Sequence, residues 1–526
     1  MHCDTDAQLA YWQDAPRAER PWPGAAFVGH WDRPEPWRSL SLAQRRRLLL
    51  LAASSGHPAS LEVTIRRCGV AEPPVQLSDS FVGECYFRGA LAVGDLQCAD
   101  VLWSAGFRHH DHENTAAPAA VMGGLEACQW LAARHAGVPG SARRCVLELA
   151  ECAAFAGRED QLDWLLEQQG LAASELPHLT YCAALGGHVG TMQRLRARAG
   201  GAWPGGADMW LLRALVRSVA PLPVVEAAAA QLLGDVGVAA AVAAGTVVLR
   251  ARLLLAAALS YSHDWAAKVG WQALAPPTVD ELEGLNNDYD VMSVVFLNSC
   301  RKGLPADFGQ RMLRLLDVPG FEHLQFFMVA EAVHHADVPA VRLLVARSSD
   351  AREDAIRHIS SELKQGKVRL PACEPLLHEL GLELSWQHME AAWKQFKVEE
   401  AAWMAMELVA RGRLPDVTQG QFKQLVNSLL ERGDDVATVL GCLGVRDSRT
   451  NGAYRAFMRS LDAAHGLASL AVGGSVVALE DYVGRMAALG VALRPLEPGM
   501  LRKAAANQAA LEWLRGRGLL LAQQGV

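Results

Sequence analysis

The chain has 526 residues, a formal net charge of -7, 51% hydrophobic residues and 20% charged residues. That length and apolar share exclude a disordered polymer and supply ample material for a buried core. The acidic balance excludes the uniformly basic surface that phosphate-dominated binding to nucleic acid or anionic membrane requires.

Ala and Leu dominate over Val, Ile and Thr runs, which predicts an almost entirely helical protein. The opening MHCDTDAQLAYWQD carries early acids and no apolar run, so no secretory leader is expected. Residues 11–38 then interleave Trp12, Trp22, Trp31 and Trp37 with Pro16, Pro21, Pro23, Pro34 and Pro36. Prolines this dense work against a helix. Residues 1–40 are therefore read as an irregular Pro/Trp-rich arm. Its tryptophans either pack on the first folded segment or form a partner-binding peptide.

Over 41–201 one phrase recurs: two small apolar residues, a turn glycine, then apolar residues five and eight positions after the glycine. The best copy is Ala183-Ala184-Leu185-Gly186-Gly187-His188 with Met192 and Leu195. Ala153-Ala154 with Gly157, Leu162 and Leu165 is a second copy, and Ala119-Ala120 with Gly123, Cys128 and Leu131 a third. Ala90-Leu91 with Gly94, Ala99 and Leu102 is a fourth, and Ala52-Ala53 with Gly56, Leu61 and Thr64 a fifth. The glycines at 56, 94, 123, 157 and 187 are spaced 38, 29, 34 and 30 apart, a mean of about 33. Small residues let a first helix approach its neighbour, glycine reverses the chain, and the two spaced apolar residues share one face of a second helix. One such unit cannot bury its seam alone, so several must stack.

These residues resemble the helix–turn–helix core of the ankyrin-repeat family over about 45–200. The family's threonine-proline-leucine-histidine opening is absent, and His178-Leu179-Thr180-Tyr181 stands in its place. The resemblance implies an all-α solenoid of stacked, divergent ankyrin-like repeats. It also implies a scaffold or adaptor function without a cofactor, with contacts from first helices and inter-repeat loops.

Residues 202–330 show helical periodicity, as in Met209–Val219 and Arg250–Leu259, without a glycine register. They read as divergent repeats or an insert. Residues 331–526 read as divergent ankyrin-like helices and a C-terminal cap. Ala332-Val333-His334-His335 with Val341 and Leu344 fits the phrase; Ala392-Trp393 with Ala401 and Met404, and Ala504-Ala505-Ala506 with Leu511 and Leu514, fit it loosely. The uncharged stretches Val236–Leu249 and Ala463–Leu479, 14 and 17 residues, are too short and too rich in Ala and Gly for a membrane span and read as buried helices.

No phosphate-cradling loop, GxGxxG, HExxH or GxSxG occurs. No catalytic, cofactor-binding or metal-binding residue is therefore assigned, and no enzyme activity or small-molecule substrate is expected. The run His109-His110-Asp111-His112-Glu113 holds ligand-type side chains, but adjacent residues seldom converge on one ion, so it reads as a polar loop. The 11 cysteines form no CxxC pair and read as small buried apolar residues in a reducing compartment. Clusters at Arg45–Arg47, Arg66–Arg67, Arg143–Arg144 and Arg194/Arg196/Arg198 read as solvated helix faces. The expected partner is another protein, met at loop tips through Arg108, His109, His110, Asp111, His112, Arg143 and Arg144, in the cytoplasm or nucleus. The competing reading is an RNA-binding helical-repeat protein, which the charge balance disfavours.

Overall fold

In the computed structural model, the repeated phrase forms pairs of short helices. Structure is described for residues 18–19, 21–70, 81–107, 121–136, 141–200, 207–234, 237–274, 307–318, 321, 325–335, 337–365, 374–385, 463–501 and 503–520, and for scattered positions between 387 and 436. The remaining residues, including Arg108 to His112 and the Ala392 copy apart from single positions, lie outside that set. Among the described residues the chain is all-α, with two isolated β-bridges and no strand.

The helices in chain order are α1 Gly24–Trp31, α2 Glu35–Arg38, α3 Leu42–Ala53, α4 Pro58–Arg67, α5 Phe81–Ala92, α6 Leu96–Ser104, α7 Leu125–His135, α8 Ser141–Ala156, α9 Glu159–Gln168, α10 Leu176–Leu185, α11 Val189–Arg198, α12 Ala207–Arg217 and α13 Leu222–Leu233. They continue as α14 Val238–Ala243, α15 Val247–Ala258, α16 Trp265–Val269, α17 Phe308–Leu316, α18 Gln325–His334, α19 Val338–Val345, α20 Ser349–Lys364, α21 Glu374–Glu379, α22 Ala463–Gly473, α23 Val476–Ala488 and α24 Gln508–Gly516. The chain divides into two compact units. One comprises Met1–Ala15, Asp111–Ser360 and Pro375–Leu380; the other comprises Pro16–His110, Ser361–Glu374 and Gly381–Val526.

In the first unit, α8 pairs with α9, α10 with α11 and α12 with α13, while α8, α10, α12 and α15 pack successively against one another. Ala153, Ala154, Ala183 and Ala184 are fully buried where these first helices meet. Leu162 and Leu165 on α9, and Met192 and Leu195 on α11, are buried as their spacing requires. Each such leucine contributes roughly 1.5–3 kcal/mol by leaving water.

The turn glycine is required at two places in particular. Gly187 has φ +80°, and a Cβ there would lie 2.9 Å from the backbone nitrogen of Ala220. Gly157 has φ +64°, and a Cβ there would overlap the His188 imidazole of the next hairpin. The third expected turn glycine is displaced by one. Gly124, not Gly123, has positive φ, because Gly124 is the N-cap of α7 and carries the reversal itself. A second glycine register, which the sequence reading missed, ends the second helices at Gly69, Gly106, Gly170 and Gly200, and it returns at Gly490 and Gly518.

In the second unit, α3 pairs with α4, α5 with α6 and α22 with α23, and α24 packs on α22 and α23. Ser41 caps α3 with a reciprocal box: its hydroxyl accepts from Gln44 N, and the Gln44 side chain accepts from Ser41 N. The N-terminal region is more regular than its prolines suggested. Pro23 and Pro34 stand at the starts of α1 and α2, where a missing N–H costs nothing, so they bracket helices and do not interrupt them. Trp22, Phe27, Trp31 and Trp37 form a chain of ring contacts, Trp37 Nε1 donates to Trp31 O at 2.7 Å, and Trp22 Nε1 donates to Ser60 Oγ at 3.1 Å. Of the two readings of these tryptophans, packing on the first folded segment is the one seen for Trp22, because Ser60 lies on α4.

The two uncharged stretches are each divided between helices, 238–243 and 247–258 in one case and 463–473 and 476–488 in the other. No described helix is long and apolar enough to cross a membrane.

Candidate interaction surface

The arginine clusters expected to be solvated faces are mostly cross-links. Arg66 and Arg67 both meet Asp32 Oδ1, at 2.8 and 3.1 Å, and their hydrogen bonds hold the Asp32 carboxyl below its usual pKa. Arg194 meets Asp163 at 3.0 Å, and Arg196 meets Asp208 at 2.9 Å. Arg45 is the exception of opposite kind: it is 1% exposed, not solvated. Its Nη1 donates to Cys68 O at 2.8 Å, at the end of α4.

Of the residues expected to bind a partner, Arg108, His109, His110, Asp111 and His112 lie outside the described residues. Arg143 and Arg144 lie on α8. Arg143 donates to Glu175 Oε2 at 2.6 Å and to Gly170 O at 3.1 Å, tying the end of α9 to the approach of α10. Arg144 meets Glu148 one turn on, at 3.0 Å. Both arginines are half-exposed and engaged within the fold, where such pairs contribute at most about 1 kcal/mol.

Two buried polar groups resemble chemistry and resolve as packing. Cys182 Sγ lies 3.9 Å from His178 Nε2, which lies 3.0 Å from Glu151 Oε1. Both of these contacts fall on Nε2. Cys182 is fully buried on α10. Lys268 is also fully buried, and its Nζ donates to Val216 O, Ser218 O and Ser260 Oγ at 3.1, 3.0 and 2.9 Å. Burial pulls its pKa down to about 8, against the attraction of Asp264. All three ammonium donors are used, two at the carboxyl end of α12 and one on Ser260 just past α15, so no donor remains for a substrate.

Arg311 does the same for α15. Its guanidinium donates to Ala258 O at 3.2 Å and to Ser260 O, and stacks 5.0 Å from the Trp265 ring centre. Arg45, Lys268 and Arg311 thus follow one rule: a buried cation satisfies carbonyls at a helix C-terminus, where the helix dipole favours positive charge.

The pair His334-His335 closes α18. His334 is exposed, and His335 Nε2 lies 3.6 Å from Glu331 Oε2. The six described cysteines, Cys68, Cys98, Cys128, Cys145, Cys152 and Cys182, are buried and unbridged, as expected. No group of three or more metal-ligating side chains converges among the described residues.

The outward face of α12 differs from its neighbours. Trp210 is 67% exposed, the largest value for a large apolar residue among the described residues, with Val219 and Val224 exposed nearby in sequence. Trp210, Arg213 and Arg217 are spaced three and four apart, so they share one face. The opposite face, Leu211, Leu212, Leu215 and Val216, is buried. Sequence reasoning noted the helix but not the tryptophan, because one large apolar residue in an apolar run reads as core.

No family model, curated protein or solved structure matches this chain.

Proposed function

We propose that this protein is a non-catalytic scaffold or adaptor, built as a divergent ankyrin-like solenoid, that binds another protein through the outward faces of its first helices. The observation that carries the reading is Trp210, held 67% in water on the outer face of a first helix whose inner face is buried. Exposed aromatics of this kind are enriched where partners anchor. The burial of the Ala pairs and the spaced apolar residues in successive hairpins supports the repeat architecture.

Affinity capture of the tagged full-length chain from its native extract, with and without RNase, tests the reading. A stoichiometric protein partner that survives RNase is expected. Loss of all partners on RNase treatment, with RNA recovered, would replace it with the RNA-binding alternative.

A further inference from the structure

The patch around Trp210 carries a charge arrangement that points to the chemistry of the partner, and this inference rests on the scaffold reading. Arg213 on α12 and Arg252 on the adjacent α15 repel one another; burial is the larger influence on Arg252 and Arg213 the next, both disfavouring its charged form. Neither guanidinium has a hydrogen-bond or ion-pair partner among the described residues, and Arg252 Nε is buried without an acceptor. The one acid of α12, Asp208, is already taken by Arg196. Elsewhere on the first unit, Arg143, Arg194, Arg342 and Arg347 each meet a carboxylate. The Arg213 and Arg252 pair thus brings two like charges together without a carboxylate, where those four arginines each have one.

The geometry points to an acidic protein segment as the occupant of this surface, with carboxylates meeting Arg213 and Arg252 and an apolar side chain against Trp210. Guanidinium forks suit bidentate carboxylates, and an adjacent aromatic supplies contact area at little entropic cost. Nucleic acid fits less well. Its backbone needs positive charge sustained along the array, whereas the next helices on one side, α9 and α11, use Arg194 and Arg196 in ion pairs.

The test uses the full chain and a fluorescein-labelled peptide alternating glutamate and leucine, read by anisotropy, beside a polyuridine oligonucleotide of equal length. Salt-dependent peptide binding is expected, weakened about tenfold or more by Arg213→Glu and by Trp210→Ala. Arg213→Glu places a carboxylate beside Arg252, so its Tm should match or exceed that of the unsubstituted protein.

Absent peptide binding, binding indifferent to both substitutions, or a clear fall in Tm with Arg213→Glu would overturn the proposal. Tighter oligonucleotide binding, lost with the same substitutions, would overturn it in favour of a nucleic-acid surface. Captured partners that persist with Arg213→Glu would overturn this surface while leaving the scaffold reading intact. A capture that yields no protein partner would count against the scaffold reading itself.

Discussion

Arg45 Nη2 donates to Asn507 Oδ1 at 2.6 Å across 462 positions of sequence, with both side chains almost fully buried. Asn507 is satisfied on every side: its Nδ2 donates to Ala471 O and Gly474 O at 2.9 and 3.1 Å, and its Oδ1 also caps α24. Gln508 N donates to Gly69 O at 3.0 Å, and a Cβ at Gly69 would lie 2.9 Å from Ala509 Cβ. Within the second unit, the hairpin α3–α4 is therefore joined to α22 and α24. Desolvation pulls the pKa of Arg45 down to about 10, which leaves it charged at neutral pH without a carboxylate partner.

Asn507→Ala should destabilise the second unit by about 2–4 kcal/mol, because it strands a buried cation and two carbonyls. Denaturant unfolding measures the loss, and hydrogen exchange should show α3, α4 and α24 loosening together. Adding Arg45→Met should cost less than the sum of the two single changes. Strict additivity would refute the coupling.

Gly157→Ala should cost about 1–3 kcal/mol, combining strain at positive φ with overlap of the His188 ring. His188→Ala in that background should recover the steric share and leave the backbone share. A double-mutant cycle on Tm separates the two. A Gly157→Ala protein as stable as the parent would show that the ring moves aside freely.

His188 also gives a pH dependence. Burial lowers its pKa below the ordinary 6.5, opposed in part by Glu159 and by the Phe155 carbonyl. As pH falls below about 6.5 the unfolded chain takes up the proton first, so stability declines until the folded pKa is passed. The Tm difference between parent and His188→Gln should shrink over that interval as the parent weakens. A difference independent of pH would remove His188 as the cause.

Lys268 works at the other end of the scale. Its folded pKa of about 8 lies below the ordinary lysine value of 10.5. Between those values the unfolded state holds more protons, so this residue's contribution to stability rises with pH. The stability gap between parent and Lys268→Met should widen in the parent's favour from about pH 8 to pH 10. A narrowing gap would contradict the burial assignment.

The buried thiols predict slow chemistry. Burial raises the pKa of Cys68 and Cys98, and pushes that of Cys128 up to about 12. Thiolate is the reactive form, so these three should resist alkylation until the protein unfolds. Mass-spectrometric mapping of modification against denaturant would show it, and rapid labelling of Cys128 in the native state would disprove it.

The periodic part of the fold was legible in the sequence because it is local. Ala183, Ala184, Gly187, Met192 and Leu195 state small contact, reversal and apolar face within thirteen positions, and each is placed as read. The helix-ending glycines, such as Gly170, were missed because a lone glycine after a polar turn carries little pattern. The pairing of Arg45 with Asn507 could not be read at all, since a buried cation and a solvated one look alike when the acceptor is hundreds of residues distant. Arg143 and Arg144 read as a loop tip, yet they lie on α8, where Glu175 and Glu148 engage them. Arg213 and Arg252 have no such partner among the described residues, and their juxtaposition arises only when α12 and α15 meet.

The union of α3–α4 with α24 also sets a clock on synthesis. At about 5–20 residues per second, translation needs roughly half a minute to a minute and a half to travel from Arg45 to Asn507. Throughout that interval the first hairpins of the second unit exist without the side chain that accepts their interior guanidinium. They must stay open to water or be shielded by another molecule, and their folding is timed by the arrival of a distant asparagine.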